Sequence, residues 1–258
     1  MTDTKCHFDF TDKRVLVTGG TRGIGRAAVE AFLGAGARVA VNGTSDATVA
    51  RTLDELAVGA RAVAAPGDVA VVADCERIVA EATEGLGGLD VLVNSAGVFK
   101  RAPIAESDEA LWDSITDINV KGTYFCSRAA RPELEAAQGA IVNLASQAGL
   151  EGYAGITVYC ASKGAIVNLT RAMALELAPT VRVNCLCPGV IDTDMARIGF
   201  AAEGEATTDL TDEADDYPLR RIGTAGEVAT AILYLASPDA GFVTGAALAI
   251  DGGGTAGH

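Results

Sequence analysis

Short, nearly unbroken apolar runs recur along the chain. Each is followed by a longer stretch whose apolar positions return every three or four residues. The apolar runs lie at residues 14–18, 37–42, 61–65, 89–94, 140–145, 181–186 and 246–250. The helical stretches cover 26–36, 45–58, 71–86, 108–131, 157–178 and 227–236. Strands that alternate with helices at this spacing predict βαβ units and a parallel sheet. Continuous apolar runs, rather than apolar–polar alternation, predict strands covered on both faces. The expected architecture is therefore α/β: one doubly wound parallel sheet of about seven strands with helices on both faces. A chain of 258 residues fits a single domain spanning 1–258.

One stretch breaks the rhythm. Residues 194–218 follow the sixth predicted strand and carry Glu203, Glu205, Asp209, Asp212, Glu213, Asp215 and Asp216. A long acidic insertion after a strand's carboxyl end predicts a lid or binding loop rather than scaffold.

Two junctions carry candidate chemistry. The first strand ends in Gly19-Gly20-Thr21-Arg22-Gly23-Ile24-Gly25, and a helix follows. Glycines allow a tight turn and close approach of backbone to a pyrophosphate, and the new helix turns its free N–H groups toward the anion. The second junction lies between the fifth strand and the helix after it. Tyr159 and Lys163 are four apart and share one helix face, while Ser146 stands at the strand end. A phenol ionises near ~10, and a neighbouring cation favours the phenolate, so this trio predicts a proton-transfer site.

Composition removes other readings. The net charge of −14 repels phosphate backbones and anionic membranes, which argues against nucleic-acid or membrane-surface binding. No run approaches 18 apolar residues, and the first 13 lack an apolar signal core, so a cytoplasmic location is expected. The two histidines, His7 and His258, sit near the termini, and the six cysteines show no Cys-x-x-Cys spacing. A metal site or a histidine-based triad is not expected.

Taken together and in order, these motifs resemble the short-chain dehydrogenase/reductase family, nearest in flavour to its 3-oxoacyl-carrier-protein reductase-like members by the C-terminal pattern Tyr217-Pro-Leu-Arg-Arg-Ile-Gly to Asp251-Gly-Gly. The matching pieces are Thr18-Gly-Gly-Thr-Arg-Gly-Ile-Gly25, Asp68-Val69, Asn94-Ser-Ala-Gly97, Asn119-Val-Lys-Gly122, Ser146, Tyr159-x-x-x-Lys163 and Pro188-Gly-Val-Ile-Asp-Thr193. Ser95 replaces the family's usual asparagine. The resemblance implies a Rossmann-type fold, an NAD(P)-dependent oxidoreductase acting on a ketone or secondary alcohol, and a homotetramer. It implies Tyr159 as general acid/base, Lys163 holding the nicotinamide ribose, Ser146 orienting the substrate oxygen and Asn119 holding a relay water. It also implies adenine contacts from Asp68 and Val69, a ribose floor from Asn94, Ala96 and Gly97, and nicotinamide contacts from Pro188, Gly189, Val190 and Thr193.

The cofactor expected is NADP, with NAD possible. NAD-preferring members place a carboxylate near the end of the second strand. Here Gly43 occupies that position, with Thr44 and Ser45 after it and Arg22 in the glycine loop to meet a 2′-phosphate. An acidic carrier protein would need a basic docking surface, and the segment near Arg128 and Arg131 is mixed in charge. A small neutral or hydrophobic carbonyl is therefore ranked above a carrier-bound acyl chain. A non-catalytic dinucleotide-binding protein is the reading from another class. Gln147 and Tyr153 are expected to bear on specificity without an assigned role.

Overall fold

The computed structural model describes residues 8–201 and 206–257. Glu203 and Glu205 of the predicted lid lie outside the described residues, as do both histidines and Cys6. Seven strands form one parallel sheet: β1 (Arg14–Thr18), β2 (Arg38–Val41), β3 (Ala62–Ala64), β4 (Val91–Asn94), β5 (Ala140–Leu144), β6 (Arg182–Pro188) and β9 (Ala247–Ile250). Their order is β3-β2-β1-β4-β5-β6-β9. The chain winds outward from β1 one way, then returns to β4 and winds the other way. That reversal opens a crevice at the carboxyl ends of β1 and β4, where α/β sheets bind ligands.

The sheet is covered on both faces, as its apolar strands require. Val15, Val17, Val39, Val41 and Val142 pack on one side with α1 (Gly23–Gly34) and α8 (Ala225–Ala236), through Val29, Phe32, Val228 and Ile232. Leu16, Ala40, Leu92, Ile141 and Val183 point the other way. They meet α3 (Val72–Leu86), α5 (Thr123–Ala137) and α6 (Thr157–Leu177) through Ile78, Cys126 and Met173. Successive residues along one strand thus serve opposite cores, which is why the strands show no polar face.

Three segments differ from the sequence expectation. The helix predicted over 108–131 is two helices, α4 (Glu109–Thr116) and α5, joined by a π-helical turn at Asp117–Gly122. The turn holds Asn119 in the interior, and it brings Gly122 so close to α3's approach that a Cβ there would stand 2.9 Å from Val69. The residue before Pro132 is a probable boundary by its backbone restriction, yet α5 continues to Ala137. Buried Leu134 anchors that last turn, and Gln138 closes it at φ 51°. The predicted lid is not merely a loop. It holds α7 (Asp194–Gly199) and a 3₁₀ turn at Asp212–Asp216. A two-stranded pairing of β7 (Ile191–Asp192) with β8 (Gly223–Thr224) ties its two ends together. Helix α2 (Asp46–Leu56) completes the set.

Candidate active site

A cavity of about 950 Å³ lies along the carboxyl ends of the strands. One end is built by the glycine loop. Gly19 and Gly23 have φ of 64° and 55°, a region that favours glycine. A Cβ on Gly19 would stand 2.8 Å from Ala96 Cα, and one on Gly25 would strike the Gly19 carbonyl oxygen. Backbone therefore meets backbone on one side of the loop and leaves a side-chain-free cradle on the other. Helix α1 begins there with no side-chain cap and no acidic residue in its first turn, so its first N–H groups remain available to an anion. These features fit a dinucleotide. Asn42, which the sequence reading saw only as a strand end, fastens the cradle. Its Oδ1 accepts from Gly19 N at 3.1 Å, and its Nδ2 donates to Ala65 O and Gly67 O at 2.9 and 3.1 Å.

Most of the predicted cofactor positions line the cavity: Gly19, Thr21, Arg22, Gly23, Ile24, Gly25, Gly43, Thr44, Asp68, Val69, Ala96, Gly97, Pro188, Gly189, Val190 and Thr193. Thr193 faces the glycine loop, 3.6 Å from where a Gly23 Cβ would be, and caps α7 by accepting from Ala196 N. Two predicted positions lie elsewhere. Ser45 is the N-cap of α2, its hydroxyl engaged with Thr48 N and Thr48 Oγ1, and Thr48 takes its place in the lining. Asn94, the last residue of β4, is buried and donates to Ser127 Oγ and Asn143 Oδ1 at 2.9 Å each, while its neighbour Ser95 reaches the cavity. Arg51, on α2, also lines the cavity beside Gly43 and Thr44. Sequence reading passed over it because it lies beyond the strand–helix junction. Its helix phase, three residues after Thr48, was the available signal.

The other half holds Ser146, Tyr159 and Lys163, all in the lining. Ser146 ends the β5 segment and caps the Gln147–Gly149 turn, accepting from Ala148 N at 3.1 Å. Tyr159 and Lys163 stand one turn apart on α6, with Lys163 Nζ 5.6 Å from the phenol ring centre. Burial pushes the phenol up to about 12, opposed by its hydrogen bond with Ser146. Lys163 is 5% exposed and donates to Leu144 O at 2.8 Å. Burial lowers it to about 8, against the pull of the Cys187 and Cys185 thiols. Burial, rather than the neighbouring cation, dominates at the phenol, since desolvation disfavours the charged form.

Asn119 does not line the cavity. It is fully buried, and its amide is filled: Oδ1 accepts from Val98 N at 2.9 Å, and Nδ2 donates to Val98 O and Ser162 Oγ at 3.1 Å. The side chain thereby fixes the loop after β4 and the helix carrying Tyr159. Beyond the phenol, Phe99 packs edge-on to Tyr159 at 4.8 Å and stacks on Phe200 at 5.7 Å, and Arg101 lies over the Phe200 ring.

The lysine yields a stability prediction. It loses its proton near 8 when folded and near 10.5 when unfolded. In that window the unfolded chain binds more protons, so stability rises with pH, by up to about 3 kcal/mol for this group. Denaturant midpoints of the ligand-free wild type and Lys163→Met should diverge in the wild type's favour as pH climbs from about 8 to 10. A constant difference between them would contradict the burial argument.

The comparisons agree with this geometry. The family model described as Enoyl-(Acyl carrier protein) reductase matches residues 19–255. The chain is 40% identical over 246 residues to 2-(S)-hydroxypropyl-CoM dehydrogenase 3 of Xanthobacter autotrophicus, covering 94% of this chain and 96% of that one. It is 39% identical over 249 residues to meso-2,3-butanediol dehydrogenase of Serratia marcescens, covering 96% of each. A solved short-chain dehydrogenase/reductase (glucose/ribitol dehydrogenase) from Brucella melitensis superposes with a TM-score of 0.86 at 35% identity, over 95% of this chain and 98% of that one. The chain belongs to the short-chain dehydrogenase/reductase family of oxidoreductases, which act on alcohols and ketones with a nicotinamide cofactor.

Proposed function

We propose that the chain interconverts a small, neutral, largely apolar ketone and its secondary alcohol, using NADP(H), with Tyr159 as general acid/base. The observation that carries this reading is Tyr159 itself: a phenol hydrogen-bonded to Ser146, one turn from Lys163, at the inner end of a dinucleotide-sized cleft. The nicotinamide, when bound, supplies or accepts the hydride and brings a positive charge in its oxidised form. The chain's residues do the rest. Ser146 donates a hydrogen bond to the reacting oxygen and holds it against the phenol. Tyr159 gives that oxygen a proton as the ketone is reduced and takes it back in oxidation. Lys163, protonated below about 8, favours the phenolate when it must form. Asn119 acts through Ser162 and Val98, setting the angle at which α6 presents the phenol.

The substrate class rests on the wall facing Tyr159. Phe99 and Phe200 present aromatic surface, and Met195, Ala154 and Ile156 extend it. Glu213 and Asp216 from the lid also line the cavity, as does Arg101. An anionic acyl carrier would meet carboxylates there. Outside, Arg128 is paired with Glu76 at 2.6 Å and Arg131 with Glu135 at 3.3 Å, so neither is a free docking charge. Residues 194–218 act as the lid over this half. The apolar groove of Tyr124, Phe125 and Leu169 on α5 and α6 supports the homotetramer that the resemblance implies.

Cofactor oxidation measured against a panel of ketones tests this. Neutral aryl and alkyl ketones should be turned over, and acetoacetyl-carrier protein should be a poorer substrate. Turnover of the carrier-bound ketone well above every simple ketone would replace the proposal with the carrier-protein reductase reading. Cofactor binding with no turnover of any ketone would point to a non-catalytic binding protein.

A further inference from the structure

Tyr217 opens the C-terminal pattern that carries part of the resemblance, which assigns it no role, yet it joins four parts of the site. Its side chain is 5% exposed although it belongs to the acidic lid. The hydroxyl accepts from Val190 N at 2.8 Å. It also meets the Gln147 amide, with Nε2 at 3.1 Å and Oε1 at 3.3 Å. Val190 lies in the Pro188–Thr193 segment, and Gln147 directly follows Ser146.

The ring has been given room by glycines. A Cβ on Gly189 or on Gly254 would stand 3.0 Å from Tyr217 Cε1, tighter than side chains normally pack. The turn that bears Gly254 is itself fixed by Asp251, which accepts from Gly253 N, Thr255 N and Thr255 Oγ1. Leu219 N then ties the lid base to Gly252 O at 3.2 Å. The end of β9, the lid base, the loop after β6 and the turn after β5 therefore converge on one phenol.

We propose that the Tyr217 hydroxyl is a positioning group that locks the Val190 backbone and the Ser146 turn into one register, so that the nicotinamide end of the cofactor and the substrate oxygen are set against each other. This rests on the reading that the Pro188–Thr193 segment faces the nicotinamide. It gives Gln147 a role: its amide carries the register from Tyr217 to Ser146.

The test compares binding of the intact dinucleotide with binding of ADP-ribose, or its 2′-phosphorylated form, which lacks the nicotinamide. In Tyr217→Phe the ring still fills its place between Gly189 and Gly254, so the melting temperature should stay close to wild type. Val190 N–H loses its acceptor. Affinity for the intact cofactor should fall roughly five- to thirtyfold, while affinity for the fragment is unchanged. Gln147→Leu keeps the Val190 contact, so it should preserve cofactor affinity and lower kcat several-fold. Equal weakening of fragment and intact cofactor in Tyr217→Phe, or of neither, would overturn the proposal, as would the same cofactor loss in both variants. A wild type that gains nothing from the nicotinamide would remove the underlying reading, and the inference with it.

Discussion

Tyr159→Phe should lower kcat by about 10²- to 10⁴-fold, while cofactor affinity stays within about threefold of wild type. The substitution takes away one oxygen and keeps the ring, which packs edge-on against Phe99 at 4.8 Å. The cavity's shape should therefore survive. Without that oxygen, the two polar groups beside it are otherwise engaged. Ser146 is a hydroxyl already turned toward the phenol, and Lys163 Nζ is bonded to Leu144 O. Steady-state kinetics with the best ketone of the panel, together with cofactor titration, separates the two effects. A parallel loss of affinity would mean that the ring had moved. Full retained activity would remove Tyr159 from the mechanism.

The second large effect concerns the cofactor. kcat/KM should favour NADPH over NADH, and Arg22→Ala or Arg51→Ala should each reduce the NADPH value by about tenfold or more while leaving the NADH value nearly unchanged. The magnitude is that of a hydrogen bond to a charged group. Both guanidiniums line the same end of the cavity, and both are exposed at its rim. Gly43 supports this preference. A Cβ there would stand 2.6 Å from Thr21 Cγ2 and 3.2 Å from Val49 Cγ2, so a side chain at this position would have to displace the Thr21 side chain. Equal use of the two cofactors would show that the absent carboxylate does not set preference here. A clear NADH preference would overturn the assignment.

The sheet was legible because its signal is local and strong. Each strand is an apolar run serving two cores, and each run is bounded by glycine or polar residues. The glycine loop was legible for a similar reason, since close backbone approach leaves few residue choices. What the sequence hid arises from tertiary packing. The π-helical turn at Asp117–Gly122 depends on where Asn119 finds partners, and those lie 21 and 43 residues away. The order inside the lid depends on a pairing between Ile191 and Gly223, which no local pattern announces. Ser45 was read as a phosphate donor from its position after the strand. Its capping of α2 follows from the same position and uses the hydroxyl first. Arg51 reaches the cavity from a helix that the motif spacing does not mark, and the contacts of Tyr217 join segments far apart in sequence.

The phenol's electrostatics separate the sequence reading from the structure most sharply. Spacing placed a cation beside it and predicted a lowered pKa, whereas burial holds it near 12 in the ligand-free chain. Alcohol oxidation should therefore be favoured by alkaline pH. The most direct measurement is the pH dependence of kcat for alcohol oxidation in the wild type and in Tyr159→Phe. The account predicts a wild-type rate that rises with pH as the phenol ionises, and a low, nearly flat rate in the variant. The same rising limb in both proteins would show that another group carries the proton, and would contradict the assignment of Tyr159.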